Sequence, residues 1–200
     1  MKSMNLLTIL LVVIALSCKD EPAEKEQLQN VFKTINGEVV IAAENYSFKG
    51  GTIGSWYLGS ALTGFLGNGY MQSSLDTPSD GSHLKFNTAS ANLNYIINFN
   101  ESGTYFVHLR TFASDDTANS FFAAINGNEI NYGGSNPQNS SKTATYIYVE
   151  KLNSWNWYTD GGGAETRNLK VSFNIPAAGR YTFTLYRRDI ASVVDHIWLT

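Results

Sequence analysis

The chain has 200 residues, 14 Lys and Arg against 17 Asp and Glu, a formal net charge of −3, and 16% charged against 13% aromatic residues. That length supports one domain with a sizeable core, or two small ones, and the acidic balance offers no basic footprint for nucleic acid. Few charges with many aromatic, Gly, Asn, Ser and Thr residues suit short strands joined by polar loops better than packed helices.

In chain order, the first predicted element is an export signal. Lys2 gives the positive start, residues 6–16 form an apolar run too short for a permanent membrane span, and Ala15-Leu16-Ser17-Cys18 closes it. Cys18 is the only cysteine in the chain. At that position it reads as a lipobox, with cleavage before Cys18 and lipid attached to it. An ordinary signal peptide with an incidental cysteine is the alternative. Residues 1–17 are thus assigned to a signal peptide and residues 18–36 to the lipidated cysteine and a charged tether containing Pro22. A single folded domain is assigned to residues 37–200.

Within that domain the pattern turns to period two. Leu93, Tyr95, Ile97 and Phe99 alternate with Asn94, Ile96 and Asn98, and Tyr105, Val107 and Leu109 with Phe106, His108 and Arg110. The same holds for Leu169, Val171, Phe173 and Ile175, and for Tyr181, Phe183 and Leu185. Such runs predict half-buried antiparallel strands. Glu101-Ser102-Gly103 and Ala177-Ala178-Gly179 predict short hairpins between successive runs, and Asn126-Gly127 predicts another between residues 121–125 and 129–132. Many short strands with close turns give an all-β, antiparallel β-sandwich of the jelly-roll kind. Residues 48–80, rich in Gly, Ser and aromatics, and 133–143, mostly Gly, Asn, Ser and Gln, read as loops, either binding surface or edge cover.

Catalytic signals are few. His83, His108 and His196 lack metal-ligand spacing, and no nucleophile elbow or phosphate loop is present. The carboxylate pairs Asp115 with Asp116, Asp160 with Glu165, and Asp189 with Asp195 read as solvated loop groups rather than an acid/base couple. Aromatic residues are the stronger lead, because Trp and Tyr combine an apolar face with a polar handle. Trp155 and Trp157 are one residue apart and share a side of an extended segment, with Asn153, Asn156 and Asp160 around them. The competing reading makes one tryptophan core and tucks the other under a loop. Trp56, Tyr57 and Tyr70 form a second aromatic group.

These blocks resemble the galactose-binding-like sandwiches of carbohydrate-binding module families 6 and 35, and the related modules at the C-terminus of family 115 glycoside hydrolases. The likeness runs through VVIAAENYS at residues 39–47, GNGYMQS at 67–73, LNYIINFNESGTYFVHLR at 93–110 and ANSFFAAINGN at 118–128. It closes with WNW at 155–157, GRYTFTLYRRD at 179–189 and VVDHIWLT at 193–200. The resemblance implies a structural calcium ion held by two glutamates of the opening block and the aspartate of the closing one. Ala42 stands at the first of these positions, which leaves Glu44 and Asp195 as metal candidates. Arg187 and Asp189 match the family pattern, whereas Arg188 and Ile190 depart from it. Val193 stands where family 6 modules often carry a sugar-binding Asn. The acidic Lys19-Asp20-Glu21 stretch resembles the surface-export signal of Bacteroidetes lipoproteins.

The reading is a lipid-anchored outer-membrane protein, facing the cell surface, that holds a polysaccharide or oligosaccharide without cleaving it. Glycan-degrading enzymes or a transporter are the expected partners, and nucleic acid is not. Trp155 and Trp157 are the expected stacking platforms, with Asn156 and Asp160 as hydrogen-bonding partners and Arg110 and Tyr46 as further candidates at the rim. Two other readings stay open: a polysaccharide lyase or glycosidase on a jelly roll, and an adhesive subunit that binds another outer-membrane protein.

Overall fold

The computed structural model describes residues 29–76, 89–126, 128–129, 146–161 and 170–200. The expected signal peptide, Cys18, His83, Glu165 and the loop at 133–143 lie outside these. The strands in chain order are β1 (Val31–Lys33), β2 (Val39–Ala42), β3 (Phe48–Gly50), β4 (Trp56–Gly59), β5 (Tyr70–Ser73), β6 (Asn92–Phe99) and β7 (Gly103–Phe112). They continue with β8 (Ser120–Ile125), β9 (Asn128–Glu129), β10 (Tyr146–Tyr148), β11 (Asn156–Tyr158), β12 (Ser172–Ile175), β13 (Gly179–Arg187) and β14 (Val193–Leu199). One 3-10 turn, Ala43–Asn45, follows β2. No α-helix occurs among the described residues.

Two sheets stack face to face. The first runs β1-β6-β13-β8-β10, with β3 also on β6 and β9 on β8. The second runs β11-β7-β14-β5-β4, with β12 also on β7 and β2 on β14. Among the pairs of described strands only β1–β6 is parallel, and an isolated bridge between Ile53 and Ser90 is parallel too. The architecture is therefore the expected antiparallel sandwich, and each inner face contributes alternate residues to one core.

Two of the three expected hairpins are something else. β6 and β7 belong to different sheets, and so do β12 and β13. The turns at 101–103 and 177–179 therefore carry the chain across the core instead of folding it back within a sheet. Phe99 and Tyr105 show why: their rings meet inside the sandwich, 4.7 Å apart and edge to face. Phe173 stacks on Tyr105 at 6.0 Å and lies 6.2 Å from Phe183, so four strands meet at one aromatic cluster. Alternation reports a buried face; it does not say which sheet the strand joins. β8 and β9 do form a hairpin, pairing Ile125 with Asn128, and Asn126 takes a positive φ of 47°.

Two stretches depart from the loop and tether assignments. Residues 31–33, read as part of the spacer, form edge strand β1 beside β6. The Gly-rich region 48–80 contains β3, β4 and β5. Its glycines hide the strand pattern for a steric reason. A Cβ on Gly59 would stand 2.3 Å from the ring of Tyr70, its partner on β5, so that pair closes only with glycine.

Candidate functional site

The site is built on the outer face of the second sheet. Along β7, Tyr105, Val107, Leu109 and Thr111 are buried in the sandwich, which turns Phe106, His108, Arg110 and Phe112 outward. Neighbouring strands extend this face in register. Arg110 stands between His196 of β14 and Trp157 of β11, and Phe112 lies beside Val193, which in turn pairs with Gln72. A register shift between Val194 and His196 inserts Asp195 as an extra residue in β14. Such a bulge re-aims a side chain, and here it brings the fully buried Asp195 carboxylate onto Arg110.

Trp155 precedes β11 on the same side as Trp157. Its ring packs against Phe112 at 5.5 Å and Tyr70 at 5.7 Å, and the Arg110 guanidinium lies 5.0 Å from its centre. Its indole N–H donates to the Thr63 carbonyl at 2.9 Å. Trp155 is thus a partly buried support under the β4–β5 connection. Trp157 is 43% exposed and meets Trp198 edge to face at 6.1 Å. Trp198 in turn lies 4.8 Å from His108. Burial, then the nearby Lys170 cation, push His108 below its ordinary pKa, against the opposing pull of Asp160.

The β4–β5 connection folds back over this face and divides it. On one side lies a groove of about 190 Å3 lined by Leu62, Tyr70, Gln72, Phe112, Ser114 and Val193, with Ala61 and Ala191 at its edges. Its walls are aromatic and aliphatic, with an amide and a hydroxyl as polar handles. On the other side lie Trp157, Trp198 and His108. Of the residues expected from sequence, Arg110, Trp155, Trp157 and Asp195 share this face. Asn156 occupies the opposite side of β11, next to Thr111 in register, and its amide donates to the Ser154 hydroxyl at 2.7 Å. Asp160 accepts from Lys170 at 2.6 Å near the His108 end. Tyr46 packs partly buried against the core, with the Lys49 ammonium 5.6 Å from its ring. Gln72, Ser114 and Phe112 were not singled out from sequence. Phe112 continues the period-two run of β7 by one outward position, and that was its only signal.

Of the other carboxylates singled out from sequence, Asp115 and Asp189 are engaged. Asp115 Oδ1 accepts from the Thr117 backbone at 2.8 Å and its hydroxyl at 2.6 Å. Asp189 pairs with Arg188 and accepts from the Ser120 hydroxyl. Arg187, fully buried, clamps the chain at Ser74 and Asp76.

The carboxylates expected to hold calcium already accept hydrogen bonds from the chain. Asp195 Oδ2 accepts from the Leu66 N–H at 3.1 Å and from Arg110, and Glu44 Oε1 accepts from the Asn68 N–H at 3.4 Å. One oxygen of each carboxylate, Glu44 Oε2 and Asp195 Oδ1, is buried without a hydrogen bond. Calcium takes six or more oxygens. Among the described residues no three His, Cys, Asp or Glu side chains converge as a metal-binding group. With a guanidinium already on Asp195, this set does not fit the ion.

Several solved structures share the backbone. A GH26-CBM35 β-(1,4)-mannanase of Podospora anserina aligns with 83% of this chain at a TM-score of 0.52 and 15% identity, over 28% of its own length. A family 35 carbohydrate binding module from Clostridium thermocellum aligns with 81% of the chain at 0.50 and 14%, over 96% of the module. The isomalto-dextranase of Arthrobacter globiformis T6, complexed with panose, aligns with 83% at 0.51 and 14%, over 24% of that enzyme. The chain thus spans about a quarter of each enzyme and nearly all of the separate module. At these identities the likeness establishes the fold. No family model matches the chain, and no curated protein matches it in sequence.

Proposed function

We propose that this protein is a non-catalytic carbohydrate-binding module whose ligand lies on the outer face of the second sheet. The observation that carries the reading is the groove beside Trp155. Phe112 supplies a ring face for a sugar's C–H surface above the buried Tyr70, while Gln72 and Ser114 reach its hydroxyls. The exposed Trp157 offers a second stacking surface beyond the β4–β5 connection. The engagement of Asp115, Asp160, Asp189 and Asp195 in ion pairs and turns supports binding over hydrolysis, and so does the likeness to a complete carbohydrate binding module. Val193 in the groove wall makes the contact there apolar.

Affinity electrophoresis and a glycan array test the reading on the purified protein. Retention by at least one plant or algal polysaccharide is expected, with Phe112→Ala weakening it roughly tenfold, or about 1.4 kcal/mol. No retention on any glycan would remove it. We further infer that the chain is exported and anchored through lipid on Cys18, where it would hold glycan for enzymes or a transporter at the outer membrane. Mass spectrometry of the mature amino terminus tests this: a diacylglyceryl cysteine is expected, and an unmodified Cys18 would refute it.

A further inference from the structure

We propose that Arg110 is a built-in stand-in for a divalent cation, so that the β4–β5 connection is fixed over the sheet without a metal. The connection from 60 to 69 has few apolar anchors of its own, and Leu66 is exposed. Side chains from four separate places hold its backbone. Trp155 donates to the Thr63 carbonyl at 2.9 Å, Arg110 Nη2 donates to the Gly64 carbonyl at 2.9 Å, Leu66 N–H donates to Asp195 at 3.1 Å, and Asn68 N–H donates to Glu44 at 3.4 Å. Arg110 is the centre of this arrangement. One guanidinium neutralises the buried Asp195 carboxylate, binds a loop carbonyl and lies over the Trp155 ring.

A bound cation would do two of these three things, since it too neutralises carboxylates and gathers carbonyl oxygens. A planar guanidinium does them with fixed geometry and keeps its charge at any working pH. Its side chain is 14% exposed and that of Asp195 is fully buried, so the attraction is little screened by salt. Glu44 Oε2 and Asp195 Oδ1 are buried without a hydrogen bond, the latter with His196 Nδ1 at 3.1 Å, and they show what the exchange leaves behind. Removing the guanidinium therefore strands the buried Asp195 carboxylate under the loop, and an added cation can then take its place.

Thermal unfolding of the full chain in about 10 mM calcium or in excess chelator tests this, with chymotrypsin cleavage within residues 60–69, after Phe65 or its neighbouring leucines, as a second readout. The wild-type Tm is expected to be the same in both solutions. Arg110→Gln is expected to melt at least about 6 °C lower in chelator and to be cut faster in the connection. Calcium is expected to recover part of that loss, and Arg110→Lys to fall between wild type and Arg110→Gln without calcium. A wild-type Tm that chelator lowers or calcium raises would overturn the proposal, because a metal would then be at work. An Arg110→Gln protein as stable as wild type, or one that melts lower with no recovery in calcium, would overturn it too. If Arg110→Gln does not fold, the wild-type response and Arg110→Lys decide: a chelator-sensitive wild type, or an Arg110→Lys Tm unchanged from wild type, refutes the stand-in.

Discussion

At the scale of single residues, His108 is the outward residue whose surroundings give it a measurable signature. Its ring packs on Trp198, and burial with the nearby Lys170 cation lowers its pKa against the opposing effect of Asp160. In the unfolded chain it titrates near the ordinary value of about 6.5. Between that value and the depressed folded one, the unfolded state binds more protons, so stability falls as the pH drops through this window. Above it the histidine is neutral in both states and contributes no slope. Denaturant midpoints measured from pH 7.5 to 5 should decline less steeply for His108→Gln than for wild type. Parallel declines would show that His108 is not the group responsible.

At the scale of elements, the β4–β5 hairpin couples packing to the groove. Gly59 lies under the Tyr70 ring, which is nearly fully buried and whose hydroxyl accepts from the Leu62 N–H at 3.2 Å. Gly59→Ala forces a Cβ to within 2.3 Å of that ring unless the ring moves. Overpacking of this kind costs about 1–3 kcal/mol. Because Tyr70 and Leu62 both line the groove, glycan affinity should fall together with Tm. A variant with wild-type Tm and affinity would place the strain elsewhere. The same hairpin shows where the sequence was opaque. Its glycines answer to a partner on another strand, so no local pattern reveals β4 and β5. The long strands were legible because alternation is local: Leu93 to Phe99 and Tyr105 to Leu109 face the core as read. Their partners were not, since the turns at 101–103 and 177–179 suit a crossing as well as a hairpin. The WNW pair was legible as a shared face, but its two tryptophans differ. Trp155 is drawn under a loop by Thr63 and Arg110, while Trp157 remains exposed. Those contacts are 92 and 45 residues distant in sequence, by the numbering of Trp155, Thr63 and Arg110.

At the scale of the whole molecule, β1 ties the start of the folded unit to the β6 side of the first sheet. It lies parallel to β6, pairing Val31 with Ile96 through Lys33 with Asn98. Phe32 sits 6.3 Å from Tyr95 and packs against the core. Just beyond the strand, Thr34 is fully buried, donates its N–H to Asn98 at 3.0 Å and accepts the Asn100 N–H on its hydroxyl at 2.9 Å. Composition marked this stretch as spacer because three strand residues are too few for a pattern. Partial burial of Phe32 is worth about 1.5–3 kcal/mol at most, and each of these hydrogen bonds adds about 1 kcal/mol net. A chain beginning at residue 29 should therefore keep the stability of the longer protein. One beginning at residue 37 should lose about 3 kcal/mol, seen as a Tm lower by about 6–12 °C. The loss also bares the β6 edge, whose unpaired N–H and C=O groups become a template for other strands. The shorter chain should consequently show more association by light scattering at equal concentration. Equal Tm and equal scattering for the two chains would return residues 31–36 to the tether and start the sandwich at β2.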